Sequence, residues 1–77
     1  MKYSFMDLYH ATCDANKLLK ENESDSEIIC DDQRAYIHIY SVDLKTQEMI
    51  THAEGLTRDE AYNWLCGFNT GILNKND

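Results

Sequence analysis

The sequence predicts an α+β fold, a three-stranded antiparallel sheet with two helices on one face, in the order α-β-β-β-α. Three observations predict it. Apolar residues recur at three- and four-residue steps near both ends of the chain, period-two alternation fills residues 35–42 between them, and Thr57 with Glu60 forms a capping box that opens the second helix. A chain of 77 residues supports one hydrophobic core, so residues 1–77 read as a single domain.

From Ser4 to Glu21, Phe5, Leu8, Thr12, Ala15 and Leu19 follow the helical period, with Tyr9, Ala11 and Leu18 on the flanks. The opposite side carries Met6, His10, Cys13 and Lys17, and Asp7, Asp14 and Glu21 make an acidic row beside them. Between Glu21 and Glu27 acids alternate with small polar residues and no base intervenes, which predicts an extended, solvated loop. Ile28-Ile29-Cys30 is then a short strand, and Asp31-Asp32-Gln33-Arg34 has the residues of a turn.

The next strand, Ala35 to Val42, places Ala35, Ile37, Ile39 and Ser41 on one face and Tyr36, His38, Tyr40 and Val42 on the other. A four-residue hairpin loop closed by Asp43 and Glu48 follows, with Gln47 at a position of positive φ. That loop sets Ile39 opposite His52 and Tyr40 opposite Thr51 on a third strand, Glu48 to Ala53. Leu56 and Ala61 occupy hydrophobic-staple positions around the capping box; Ala61, Leu65, Phe68 and Ile72 form the stripe of the second helix, with Trp64 on its edge. Gly71 is expected to end that helix in a left-handed cap and Gly67 to admit a close neighbour, with a frayed last turn as the other reading. The expected core is Phe5, Leu8, Ala15, Leu19, Ile37, Ile39, Ile50, Ala61, Leu65, Phe68 and Ile72.

Fourteen acids against seven bases give a net charge of -7, which repels phosphate backbones and anionic membranes and complements a basic protein. Cys13, Cys30 and Cys66 are odd in number and contain no CxxC pair, so reduced thiols are expected rather than a disulfide framework. The residues hold no apolar run of membrane-spanning length and no signal-peptide core, and a cytoplasmic location is expected. His10 and Cys13 are soft ligands at i and i+3, but two ligands do not make a metal site, and His38, His52, Cys30 and Cys66 offer no matching spacing. Without a phosphate loop, a nucleophile elbow or HExxH, the chain is read as a non-enzyme, with no cofactor, metal, catalytic residue or small-molecule substrate.

Two surfaces are candidates for binding. Tyr36, His38 and Tyr40, with Val42 and Met49, put large rings on a sheet face left open, and Trp64 is a further aromatic anchor. Such rings also stack on bases, but only Arg34 and Lys45 lie near to offset phosphate repulsion, so direct nucleic-acid binding is disfavoured. The second surface is an acidic arc of Asp7, Asp14, Glu21, Glu23, Asp25, Glu27, Asp31 and Asp32, whose carboxylates imitate a line of phosphates. Ordinary cross-strand pairing accounts for the rings equally well, and a solvated, solubilising face accounts for the acids.

The passage Glu54-Gly55-Leu56-Thr57-Arg58-Asp59-Glu60-Ala61-Tyr62-Asn63-Trp64-Leu65, together with brevity and acidity, resembles in general character the small acidic accessory proteins of bacterial viruses, among them anti-CRISPR proteins. The resemblance implies an inhibitor that binds and blocks a host nucleoprotein. The expectation is therefore a protein-binding module, an inhibitor occupying a basic, nucleic-acid-binding surface of a host protein. Its alternative is a homodimeric structural subunit associating through the open sheet face.

Overall fold

The computed structural model describes residues 2–33 and 36–75, and the element order is α1 (Phe5–Glu21), β1 (Ser26–Gln33), β2 (Tyr36–Asp43), β3 (Met49–Leu56) and α2 (Arg58–Lys75). The fold is α+β, as expected. Sheet order follows chain order, β1-β2-β3, and both pairings are antiparallel. The expected places of Arg34 in a turn and Ala35 on the inner sheet face lie outside the described residues.

Local chemistry accounts for the ends of α1. Ser4 accepts from the Asp7 amide at 3.2 Å and the Asp7 carboxylate accepts from the Ser4 amide at 2.8 Å, a capping box that satisfies two donors at the helix start. At the other end the Ser24 amide donates to Leu19 at 2.9 Å and the Glu23 amide to Lys20 at 3.1 Å, a Schellman closure that holds Glu23 at φ 57° where glycine is usual. Part of the expected acidic loop is thus helix cap. β1 takes Ser26 and Glu27 from that loop and also Asp31, Asp32 and Gln33 from the expected turn, because pairing with β2 overrides their turn preference.

The hairpin between β2 and β3 has the expected loop. The Asp43 amide donates to Glu48 at 2.9 Å, the Gln47 amide donates to Asp43 at 2.7 Å, and Gln47 stands at φ 67°. The Asp43 carboxylate also accepts from the amides of Lys45 (2.8 Å) and Thr46 (3.0 Å). These bonds, Thr46 first, favour the charged form and lower its pKa.

Tyr40 faces Thr51 as the loop requires, but Ile39 faces Ala53 rather than His52. A bulge at His52 causes the slip. The His52 ring bonds Ser41 Oγ at 2.8 Å and lies 5.6 Å from Trp64. A second irregularity falls where Gly55 adopts φ 65° and donates to His38 Nδ1 at 3.2 Å.

Leu8, Ala11, Ala15, Ile28, Ile37, Ile39, Ala61 and Leu65 form the buried core, with Leu19, Leu56, Trp64 and Phe68 packed at its margin. Ile72 is half-buried. Besides Ile72, two expected core members are outside it. Phe5 is 47% exposed because it starts α1, where the Arg58 guanidinium covers its ring at 3.9 Å instead of the sheet. Ile50 is 59% exposed because it pairs with Ser41 near the hairpin loop, at the margin of the helix-covered area. Ala11 of α1 and Ile28 of β1 are buried in the core in addition to the expected residues.

The capping box of α2 is present, Thr57 amide to Glu60 Oε1 at 3.0 Å and Glu60 amide to Thr57 Oγ1 at 3.2 Å. The start of α2 also holds the N-terminal segment. Asp59 accepts from the Lys2 and Tyr3 amides at 3.1–3.3 Å, and Tyr3 stacks on Tyr62 at 3.8 Å. Contrary to expectation, α2 continues through Gly71 to Lys75, and a Cβ at Gly67 or Gly71 would meet nothing within 4 Å. Neither glycine caps the helix or admits a neighbour.

Candidate functional site

Because strand side chains alternate, the observed register sorts the sheet into two faces. Ile28, Ile37 and Ile39 point toward the helices and are buried. The opposite face carries Glu27 beside Val42 and Met49, Ile29 beside Tyr40 and Thr51, Asp31 beside His38, and Tyr36. Neither helix covers it, since every buried core residue of the sheet lies on the other side. Tyr36 is 57% exposed and Met49 is 59% exposed, while His38, Tyr40 and Val42 are half-buried among their neighbours.

The structure brings the expected sheet residues Tyr36, His38, Tyr40, Val42 and Met49 together, and it adds Ile29, which pairs with Tyr40. Within this face His38 has a structural task, accepting the Gly55 amide, and its ring lies 6.3 Å from that of Tyr40. Trp64 does not join them. It sits on the helix side, stacked on Phe68 at 5.4 Å and near His52, because α2 packs its stripe against the inner sheet face.

The acidic arc is divided by the fold. Asp7 is engaged in the cap of α1, while Asp14 and Glu21 line a shallow depression along the α1–α2 seam with Lys17, Leu18, Asn69 and Leu73. Glu23 holds the helix closure, and Asp25 pairs with Lys45 at 3.1 Å. Glu27 and Asp31 belong to the open sheet face, and Asp32 turns to the helix side opposite Ile37. Acids adjacent in sequence therefore point to different surfaces, since alternation along β1 separates Asp31 from Asp32.

No family model, characterised protein or solved structure matches this chain. The likeness to viral accessory proteins thus rests on general character alone. Among the described residues no three His, Cys, Asp or Glu side chains converge as metal ligands, and no helix is long and apolar enough to cross a membrane.

Sequence reasoning missed several groups around these surfaces. Asn16 reaches from α1 to the backbone of β1, accepting from the Ile28 amide at 2.7 Å and donating to the Ile28 carbonyl at 3.1 Å. Asn69 donates to the Ala11 carbonyl at 3.3 Å, and its buried Oδ1 has no hydrogen-bond partner. An Asn within a helical pattern is the only sequence signal for either, and it does not specify a partner. Burial pushes the Cys30 thiol up from its ordinary range; a hydrogen bond with Thr12 opposes this, and Asp32 and Asp31 add to it. Tyr62 is also raised, chiefly by its hydrogen bond with Cys66.

Proposed function

We propose that the protein is a small binding module that docks another protein through the uncovered face of its sheet. The observation that carries this reading is the register, which gathers Ile29, Tyr36, Tyr40, Val42 and Met49 on one face with Glu27 at its border. Phenol rings bury much area with few rotors to freeze, so they suit the centre of such an interface. A net charge of -7 complements a basic partner and speeds encounter. An inhibitor that occupies a basic, nucleic-acid-binding surface of a host protein is the form of this reading that the charge and the rings support together. A cytoplasmic setting belongs to the same proposal.

Capture from the native host followed by kinetics on the purified pair tests it. Tyr36→Ala and Tyr40→Ala are expected to speed dissociation roughly tenfold or more, in the range of aromatic anchors, whereas Glu27→Lys slows association and weakens its salt dependence. Association indifferent to salt, with dissociation indifferent to both tyrosines, would overturn the proposal. The alternative, a homodimer through the same face, is supported by the exposure of Tyr36 and Met49. It requires a stable dimer in sedimentation that Tyr40→Ala disperses.

A further inference from the structure

The three-stranded sheet has two edges, and α1 leaves part of one of them accessible. In an antiparallel strand the amide and carbonyl of one residue point the same way, and those of the next residue point the opposite way. Asn16 bonds both the amide and the carbonyl of Ile28, so Ile28 presents its backbone to the outer edge of β1. Alternation then turns the amides and carbonyls of Cys30 and Asp32 outward along that edge. The Asn16 carboxamide acts at Ile28 as a residue of a neighbouring strand would. Beyond it, Cys30 and Asp32 border a groove of about 160 Å³ whose other wall is Phe5, Leu8, Tyr9 and Thr12 of α1. Its apolar rim continues onto exposed Met6.

We propose that this groove takes an extended, basic segment of another protein as a fourth strand on β1. Backbone bonding to Cys30 and Asp32 would hold the segment, and an aliphatic side chain would fill the space between Leu8 and Tyr9. Charge selects the occupant. β1 carries Glu27 and Asp32 and no base, within a chain of net charge -7, so a segment of alternating aliphatic and basic residues complements it. Among the described residues, Arg58 near the groove stacks on the Phe5 ring and donates to the Tyr3 carbonyl at 3.5 Å. A second copy is disfavoured as occupant, because antiparallel pairing of two β1 edges sets acids against acids. The other edge does not compete for such a segment, since β3 is interrupted at His52 and Gly55. This site lies along the edge of β1 and does not require the rings of the open sheet face to bind a partner.

The probe is a blocked pentapeptide of alternating valine and lysine, followed by amide NMR on the full chain. Saturable shifts are expected at Cys30, Asp32, Leu8, Tyr9 and Thr12, with the Cys30 and Asp32 amides exchanging at least tenfold more slowly in the complex. Peptides N-methylated at the valines alone or at the lysines alone should differ at least tenfold in affinity, because only one set of amides faces β1 in either strand direction. Replacing lysine by glutamate should cost tenfold or more, as should Asp32→Lys, while Tyr40→Ala should leave peptide affinity unchanged. No saturable shift at millimolar peptide, equal affinity of the two N-methylated forms, or equal binding of the glutamate peptide would each overturn the proposal. So would a dimer whose Cys30 and Asp32 amides are already protected.

Discussion

The two faces of the sheet are built from similar residues and serve different ends. Ile28, Ile37 and Ile39 on one face are buried beneath Leu8, Ala11, Ala15, Ala61 and Leu65; Ile29, Tyr36 and Met49 on the other remain exposed. Neighbours in sequence, Ile28 and Ile29, are thus separated by a rotation of half a turn, and one supports the fold while the other is available to a partner. The difference teaches that apolar content alone does not assign a role here. Register does.

The sharpest way to break this comparison is to truncate one residue on each face. Ile39→Ala removes a fully buried side chain from the centre of the core and is expected to cost about 2–5 kcal/mol. Met49→Ala should cost roughly 0.5 kcal/mol or less, as for other exposed positions. Chemical denaturation of the two variants checks this, and equal losses would show that the outer face is packed.

Next in size is Asn16→Leu. It leaves the Ile28 amide and carbonyl without the carboxamide that joins α1 to β1, so a loss of about 1–3 kcal/mol is expected. Faster hydrogen exchange at Ile28 than at its neighbours would locate that loss at the outer edge of β1.

Smaller and opposite in sign are Gly67→Ala and Gly71→Ala. Each glycine lies inside α2 with open space where a Cβ would stand, so alanine should stabilise by about 1 kcal/mol per site. Thermal melts of the single and double variants measure this. Destabilisation would mean that α2 sits closer to a neighbour than the fold shows.

The smallest expected effect concerns pH. The folded pKa of Cys30 is raised above its unfolded value, so the neutral thiol's contribution is fully present below the ordinary thiol range and is lost as pH rises through the folded value. Stability should therefore decline above pH about 8.5, and Cys30→Ala should flatten that decline. Exposed Cys13 should also react with a thiol reagent ahead of Cys30. The reverse order would place Cys30 outside its pocket.

How much of this was legible follows from the range of the interactions involved. The Thr57–Glu60 box, the Gln47 turn and the alternation from Tyr36 to Val42 depend on neighbours in sequence, and the sequence alone specifies each. The bulge at His52 was not, because no turn residue marks it in the sequence and the ring contacts of His52, with Ser41 and Trp64, are eleven and twelve residues away. Asp31 and Asp32 have turn chemistry but strand geometry, since the partners that decide between them, His38 and Ile37, belong to the next strand. The sequence puts Trp64 on the edge of the stripe of α2, a position that does not say which sheet face the helix covers; its contacts with Phe68 and His52 do. Of the candidate site, the rings on β2 were legible; the scattering of the acidic arc was not, since it depends on how α1 and β1 are oriented in space.

The most direct test is relaxation of side-chain signals by a soluble paramagnetic agent, recorded from micromolar to millimolar protein. Ile29, Tyr36, Val42 and Met49 should be strongly relaxed at every concentration, while Ile28, Ile37 and Ile39 stay protected. Protection of the outer set at all concentrations would contradict an uncovered sheet face, and protection that grows with concentration would assign that face to a second copy of the chain.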